Sequence, residues 1–151
     1  MPAFVKSVLI DAPAEAVFRF HEREDALCLL TPAFSPVRMI GSTGGIETGA
    51  RVELRVGVFR WVALHTAYEK DRLFVDEQIQ GPFAQWVHRH EFEADGARTR
   101  LTDRIEYELP GGSLVNMLFG WTVSLGLRNM FSHRHRVTKE VCEKYSARES
   151  L

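Results

Sequence analysis

The sequence predicts an α+β fold in which a curved antiparallel sheet of about six or seven strands wraps around one long C-terminal helix. Strand-like segments fill most of the chain, a helical period fills its last part, and two short helical patterns follow the first strand. An apolar sheet face and a single long helix must bury each other's apolar surface, so we expect the helix to lie against the sheet. The 151 residues fit one domain, spanning residues 1–151.

The first three elements are a strand and two short helices. Residues 4–10 form the strand. Asp11 is then predicted as the helix cap, with Pro13 at or near the first helical position. A second short helix over residues 25–30 ends before Pro32, because a residue that precedes proline is disfavoured in a helix.

The middle of the chain alternates apolar and polar residues in consecutive strands. We predict strands over residues 37–40, 51–58, 61–68, 73–80, 85–92 and 98–109. The glycine-rich stretch at 41–49 lacks the lysine and the serine or threonine of a phosphate-binding loop, so it is interpreted as a mobile connection.

Residues 113–145 are predicted to form the long helix. An apolar stripe recurs there at three- and four-residue spacing, at Val123, Leu127, Met130, Arg134, Val137, Val141 and Tyr145. Gly120 and Gly126 are positions where this helix is expected to break or bend. His133, His135 and Arg136 are expected on its solvated face.

The strand QWVHRHEF places two histidines between two large aromatic residues on one face. That face carries Trp86, His88, His90 and Phe92, whereas the opposite face carries Val87, Arg89 and Glu91. The neighbouring strands share this division, since one face of each is charged and the other is mainly apolar and aromatic. We therefore expect the histidines to point toward the helix, together with Asp76, Gln78 and Asp103.

The strand register decides which of these polar side chains meet. A connection over residues 81–85 would place Gln78 opposite His88 and Asp76 opposite His90. Asp103 lies opposite His88 or His90, depending on the length of the turn at Asp95-Gly96. In either register Asp103 is within cross-strand reach of both histidines.

Three interpretations of this polar cluster stay open. It is a structural network that satisfies itself, the polar wall of a ligand cavity, or a metal site built on His-x-His and a carboxylate with His65 as a possible extra ligand. Arg134 lies on the helix stripe, where it either reaches Asp76 or Asp103 or extends its charged end to solvent.

The charge balance and the composition limit the kinds of partner that the protein is expected to bind. Nineteen basic and twenty acidic residues give no support for nucleic-acid binding. The apolar stretch 115–127 is too short to span a bilayer. Cys28 and Cys142 are far apart and are interpreted as packing residues of a reduced, cytoplasmic protein. No cofactor is expected, and a homodimer through an exposed strand or residues 115–127 is possible.

Several sequence pieces together resemble one known superfamily. They are Ile10-x-Ala12-Pro13-x-Glu15-x-Val17-Phe18, Leu30-Thr31-Pro32, Phe74-x-Asp76-x-Gln78-x-x-Gly81-Pro82-Phe83-x-x-Trp86-x-His88-x-His90-x-Phe92, Asp103-x-x-x-Tyr107-x-x-Pro110 and Phe131-x-x-Arg134. The chain resembles the START-like (SRPBCC) superfamily over essentially its whole length, and within it a bacterial subgroup of small stand-alone proteins. The resemblance implies the helix-grip fold, with a deep cavity between sheet and helix for an apolar or aromatic molecule.

The leading hypothesis is a protein that binds a small hydrophobic or aromatic molecule, such as a lipid, isoprenoid or polyketide, with one polar end. Phe74, Trp86, Phe92, Ile105 and Tyr107 would line the apolar part, and Asp76, Gln78, His88, His90, Asp103 and Arg134 the polar part. Phe83 and residues 41–49 would border the mouth, with Phe119 and Trp121 as a lid.

The first alternative is a polyketide cyclase or dehydratase that uses His88 or His90 with Asp76 or Asp103 as acid–base catalyst. The second is a protein-interaction module with a closed core.

Overall fold

The computed structural model describes residues 2–149 and contains seven strands and three helices. The strands are β1 (Ala3–Ile10), β2 (Val37–Ser42), β3 (Arg51–Val56), β4 (Phe59–Glu69), β5 (Leu73–Gln80), β6 (Gln85–Asp95) and β7 (Arg98–Glu108). The helices are α1 (Ala14–His21), α2 (Ala26–Leu30) and α3 (Ser113–Glu149). This order confirms the predicted fold class.

The seven strands form one antiparallel sheet in the order β1-β7-β6-β5-β4-β3-β2. Strands β2 to β7 follow one another as hairpins, and β1 closes the far edge beside β7. Irregular pairing interrupts β2 near Met39 and β4 near Val62 and His65. Such bulges bend a strand and increase its twist, which helps the sheet to curve around α3.

The inward and outward faces of the sheet follow the predicted alternation. Along β7, Thr99, Leu101, Asp103, Ile105 and Tyr107 are all buried, and the residues between them are exposed or half-buried. Since β6 alternates in the same phase, His88 and His90 are buried as well. The predicted inward face is therefore confirmed.

Helix α3 differs from its prediction in two ways. It runs unbroken for 37 residues through Gly120 and Gly126, so neither glycine ends it. Its fully buried side chains are Leu127, Phe131, His135, Thr138 and Cys142. Leu127 belongs to the predicted stripe, and each of the other four follows a residue of that stripe by one position. The prediction that His135 is solvated is wrong, because His135 occupies the centre of the buried stripe.

The start of α1 also differs from its prediction. The residue that caps α1 is Pro13, in an extended conformation and with no side-chain hydrogen bond. Asp11 instead donates its backbone N–H to the Glu143 carboxylate on α3, over 3.0 Å. The predicted cap residue thus connects the first strand to the long helix.

Val58, predicted in a strand, lies in the two-residue turn between β3 and β4, where Gly57 has a φ of 61°.

Two apolar clusters fill the space between the sheet and the helices. One lies beside α1 and includes Ile10, Val17 and Phe18. The other lies beside the middle of α3 and includes Ile105, Tyr107, Leu127 and Phe131. Asp103 stands on β7 between Leu101 of the first cluster and Ile105 of the second. The polar cluster therefore separates two apolar regions.

Cys142 belongs to the apolar core, but Cys28 is exposed, so the packing prediction holds only for Cys142. No helix within residues 2–149 has the length and apolar character needed to cross a bilayer.

Candidate functional site

A partly open cavity of about 860 Å³ lies between the sheet, the α1–α2 segment and α3. Strands β2 to β6 supply its sheet wall, and Arg134 is the α3 residue that lines it. This volume falls within the range typical of small-molecule sites, roughly 300–1,000 Å³. It does not agree with the closed core that the interaction-module alternative requires.

Six of the predicted site residues line the cavity: Phe74, Asp76, Trp86, His88, His90 and Arg134. Part of the glycine-rich segment lines it too, through Ser42, Gly44, Gly45 and Ile46. The structure thus brings together residues from three strands, one helix and one loop that are far apart in the chain.

The other predicted residues lie elsewhere. Phe92, Asp103, Ile105 and Tyr107 are buried behind the cavity wall, and the Tyr107 hydroxyl donates to the Gly120 carbonyl of α3. Phe83 packs against Trp86 and does not line the cavity. Phe119 and Trp121, proposed as a lid, are 55% and 66% exposed on α3 and lie outside the cavity lining.

The observed register of β5 and β6 is shifted by two residues from the predicted one. Asp76 pairs with His88, and Phe74 pairs with His90. The Gln78 side chain points away from the histidines and forms two hydrogen bonds with the backbone of Phe83. Its amide donates to the Phe83 carbonyl over 2.8 Å and accepts from the Phe83 N–H over 3.2 Å. A side chain at Gly81 would collide with this amide unless the Gln78 side chain moved. These two hydrogen bonds hold the Gln78 side chain beside Phe83 and away from the cluster.

Asp103 is the hub of the polar cluster. Its Oδ1 accepts a hydrogen bond from His88 Nε2 over 2.8 Å, and its Oδ2 accepts one from His135 Nε2 over 2.6 Å. His90 Nδ1 lies 3.0 Å from Oδ1, but at an angle that does not make a hydrogen bond. β7 places Asp103 opposite His90, which corresponds to the longer of the two turns considered for Asp95-Gly96.

Asp76 faces the same two histidines from the cavity side. Its Oδ2 accepts a hydrogen bond from His90 Nε2 over 3.1 Å and lies 3.6 Å from His88 Nδ1. The Asp76 side chain is 16% exposed, compared with 4% for Asp103. The two carboxylates therefore enclose the two imidazoles, with Asp76 next to the cavity and Asp103 behind.

The histidines determine the charge of both carboxylates. Burial by itself would raise the pKa of Asp103, but the hydrogen bonds from His135 and His88, together with the close approach of His90, hold that pKa well below its usual value. Burial would likewise raise the pKa of Asp76, and the His90 hydrogen bond outweighs it, so that this pKa is also lowered. Both aspartates are thus ionised at neutral pH.

The two facing histidines titrate differently. Burial and the neighbouring His90 charge lower the pKa of His88, despite its bond to Asp103. Burial also opposes protonation of His90, but its contacts with Asp103 and Asp76 raise the pKa above the ordinary value. His90 is therefore the preferred proton carrier of the pair.

Arg134 brings a further cation to the cavity. Its guanidinium carbon lies 5.1 Å from the centroid of the Phe131 ring, and its buried Nε has no hydrogen-bond partner among the described residues. Burial lowers the pKa of Arg134, whereas Asp103 and Asp76 raise it through their charges. The side chain lines the cavity, but within residues 2–149 no hydrogen bond or ion pair joins it to Asp76 or Asp103, the partners that the inward alternative predicted.

Sequence reasoning missed three residues that shape the site, Trp61, His21 and His135, and considered His65 only as an extra metal ligand. Trp61 contacts Trp86 edge-on at 5.0 Å, and His21 and His65 line the cavity. His135 was assigned to solvent, although it lies four residues after Phe131 on the buried stripe. His21 likewise follows Val17 by four residues, so helical spacing indicated both positions.

His21 makes the stability of the protein depend on pH. Burial, followed by the His90 charge, lowers the pKa of His21 to about 4, although the Val17 carbonyl, which lies 2.8 Å from its Nδ1, opposes this shift. Asp103 and His135 are the other charged or titratable groups that act on it. Because the folded state binds fewer protons than the unfolded state between pH 6.5 and 4, this contribution to stability is lost as the pH falls through that window.

We therefore expect His21→Gln to reduce the loss of unfolding free energy between pH 7 and pH 5 by roughly 2 kcal/mol. Urea denaturation in the presence of a chelator measures this loss. His133→Gln, at a half-buried position on α3 outside the cluster, is the matched control. Equal pH dependence in wild type and His21→Gln would contradict the assignment.

The fold is shared with solved structures of varied description. A nucleoside-diphosphate sugar epimerase from Corynebacterium glutamicum is 24% identical with a TM-score of 0.71, over 91% of this chain and 28% of that chain. The chain therefore spans less than a third of that protein's length. Zhui aromatase/cyclase from a Streptomyces species is 12% identical with a TM-score of 0.71, over 95% and 94% of the two chains.

Norcoclaurine synthase from Thalictrum flavum, solved with dopamine and hydroxybenzaldehyde, is 15% identical with a TM-score of 0.69, over 94% of this chain and 87% of that chain. No curated protein matches the sequence. The sequence pattern of the family described as "Polyketide cyclase / dehydrase and lipid transport" matches residues 10–131. Since this match covers most of the chain, the protein belongs to that family, in agreement with the START-like resemblance of its sequence.

Proposed function

We propose that the protein binds a small, mainly apolar molecule that carries an acidic group, in the cavity between the sheet and α3. The observation that carries the proposal is the Arg134 side chain on the wall of this cavity, which forms no ion pair with a carboxylate within residues 2–149. An acidic ligand in the cavity would supply the charged partner that the protein itself does not.

Apolar side chains supply most of the contact surface for the ligand. Leu30, Leu54, Ala63 and the ring faces of Phe74 and Trp86 line the cavity. Trp61 and Trp86 stand edge to face, which suits an aliphatic chain or an aromatic ring. Norcoclaurine synthase, which shares the fold, was solved with two aromatic molecules, and this supports a ligand of similar character.

The polar end of the cavity favours an anion over a neutral group. His90 and Arg134 are the cations on this wall, and Asp76 is the carboxylate beside them. The second carboxylate, Asp103, is already engaged by His88 and His135. A carboxylate or similar acid would give Arg134 a charged hydrogen-bond partner.

Arg134→Gln should weaken binding of decanoic acid roughly 10- to 100-fold, because a hydrogen bond to a charged group contributes about 1.5–3 kcal/mol. Binding of 1-decanol should stay nearly unchanged, since the alcohol has no charge for Arg134 to meet. Isothermal titration calorimetry of metal-free protein measures both affinities. Arg128→Gln, at an exposed position of α3, is the matched control.

An equal loss for both probes would show that Arg134 supports the cavity and does not recognise an acid. Failure of the wild-type protein to bind either probe would overturn the binding function itself.

A second candidate function is acid–base catalysis of a cyclase or dehydratase type. The observation in its favour is that His88, on the cavity wall, donates to a buried carboxylate as catalytic histidines do. Such a histidine removes a proton from carbon beside a carbonyl. An apolar 1,3-diketone should then exchange that hydrogen for deuterium faster with the protein than with His88→Gln, by NMR. Equal rates would exclude this role.

The predicted homodimer and the exclusion of nucleic acid stay predictions. The apolar side chains Leu114, Met117, Leu118, Phe119, Trp121 and Leu125 are exposed along the first half of α3. They form the surface on which the predicted dimer contact would fall.

A further inference from the structure

The cavity side of the Asp76, His88 and His90 cluster has the composition of a metal site. One carboxylate oxygen and two imidazole nitrogens from these residues lie within 4.8 Å of one another. Two histidines and one carboxylate are a ligand set used by zinc and by non-haem iron. All three residues line the cavity, so an ion can reach them from solvent.

The spacing of the donor atoms agrees with a shared ion. Two ligands about 2.0–2.1 Å from a tetrahedral zinc are roughly 3.3 Å apart. Asp76 Oδ2 lies 3.1 Å from His90 Nε2 and 3.6 Å from His88 Nδ1. These two distances bracket the spacing that zinc needs between Asp76 and either histidine, and all three donor atoms lie within 4.8 Å of one another. One ion can therefore be shared by the three residues once their side chains draw together around it. It would replace the proton that His90 Nε2 now donates to Asp76.

The surroundings of the two histidines are those of metal ligands. A histidine that binds a metal through one nitrogen almost always presents the other nitrogen to a carboxylate or carbonyl oxygen. The far nitrogens of His88 and His90 lie 2.8 Å and 3.0 Å from the same oxygen of Asp103. Asp103 is in turn held by His135 over 2.6 Å. The hydrogen bond to Asp103 therefore orients His88 from behind, whereas His90 Nδ1 lies beside the same oxygen without a hydrogen bond. Both imidazoles turn their other nitrogen toward Asp76.

A closed hydrogen-bond network accounts for this arrangement less completely. Buried His90 Nδ1 and His135 Nδ1 have no hydrogen-bond partner among the described residues, so the network is not self-satisfied. Asp76 uses one oxygen for both histidines. An ion bound by Asp76, His88 and His90 compensates the two buried carboxylates and leaves Asp103 as a positioning residue.

We propose that Asp76, His88 and His90 bind one divalent transition-metal ion, of which Zn²⁺ is the test case, with its remaining coordination position facing the cavity. The metal site depends only on these three side chains and on Asp103, and not on the ligand proposed above.

The test is metal binding by chelator-treated protein without any organic ligand. Equilibrium dialysis against Zn²⁺ with elemental analysis should find one ion per chain, and Co²⁺ should give the visible absorption of low-coordinate cobalt. Asp76→Asn, His88→Gln and His90→Gln should each lose stoichiometric binding. Asp103→Asn should keep the site but weaken it roughly 10- to 100-fold, as for other residues that orient metal ligands.

Two histidine variants are the controls. His133→Gln removes a half-buried histidine outside the cluster, and His65→Gln removes a cavity histidine whose Nδ1 already faces the Ala50 carbonyl. Both should bind metal as the wild type does. Circular dichroism establishes that each variant is folded, and the wild-type cobalt spectrum tests the site even where a variant unfolds.

Absence of stoichiometric metal in folded wild-type protein would overturn the proposal, as would unchanged binding in the three ligand variants. Decanoate binding by protein that takes up no metal would refute the metal site alone. Metal uptake by protein that binds neither decanoate nor decanol would refute the binding function alone.

Discussion

The carboxylate of Asp103 is the interaction on which the rest of the site depends. It accepts hydrogen bonds from His88 on the sheet and from His135 on α3, so one buried group connects the two layers of the fold. A buried charge is tolerated only when it is paired and hydrogen-bonded, and removal of its partners would leave it uncompensated. This requirement fixes the position of α3 on the sheet beside the cavity.

The same constraint explains why the cavity has a polar wall. Apolar clusters lie on both sides of Asp103, and each could close against α3 by itself. Between them the sheet carries His88, His90 and Asp76, which need polar surroundings and space. The α1–α2 segment lies over this region, and Arg134 enters it from the helix. The cavity is therefore a consequence of polar residues placed on an otherwise apolar face.

Much of this arrangement follows from the sequence, and the exceptions have physical causes. Strict alternation in β6 and β7 predicted the inward histidines and the reach of Asp103, because strand period two leaves no other choice. The predicted β5–β6 register was wrong. The observed register goes with hydrogen bonds between the Gln78 side chain and the backbone of Phe83, and no periodic pattern reveals such a contact. His135 was assigned to solvent because it is polar, although its spacing after Phe131 places it on the buried side of α3. The buried Asp103 carboxylate on the sheet accepts its hydrogen bond and makes that position favourable. Trp61 and His21 were missed because the cavity joins elements that are distant in the chain.

The most direct test of the central role of Asp103 is a long-range ¹H–¹⁵N NMR spectrum of the histidine side chains in metal-free protein at neutral pH. The account predicts that His88 and His135 carry their protons on Nε2, with slowly exchanging, downfield ring N–H signals that Asp103→Asn abolishes while the protein stays folded. Rapid averaging between tautomers in the wild-type protein, or unchanged signals in Asp103→Asn, would contradict it.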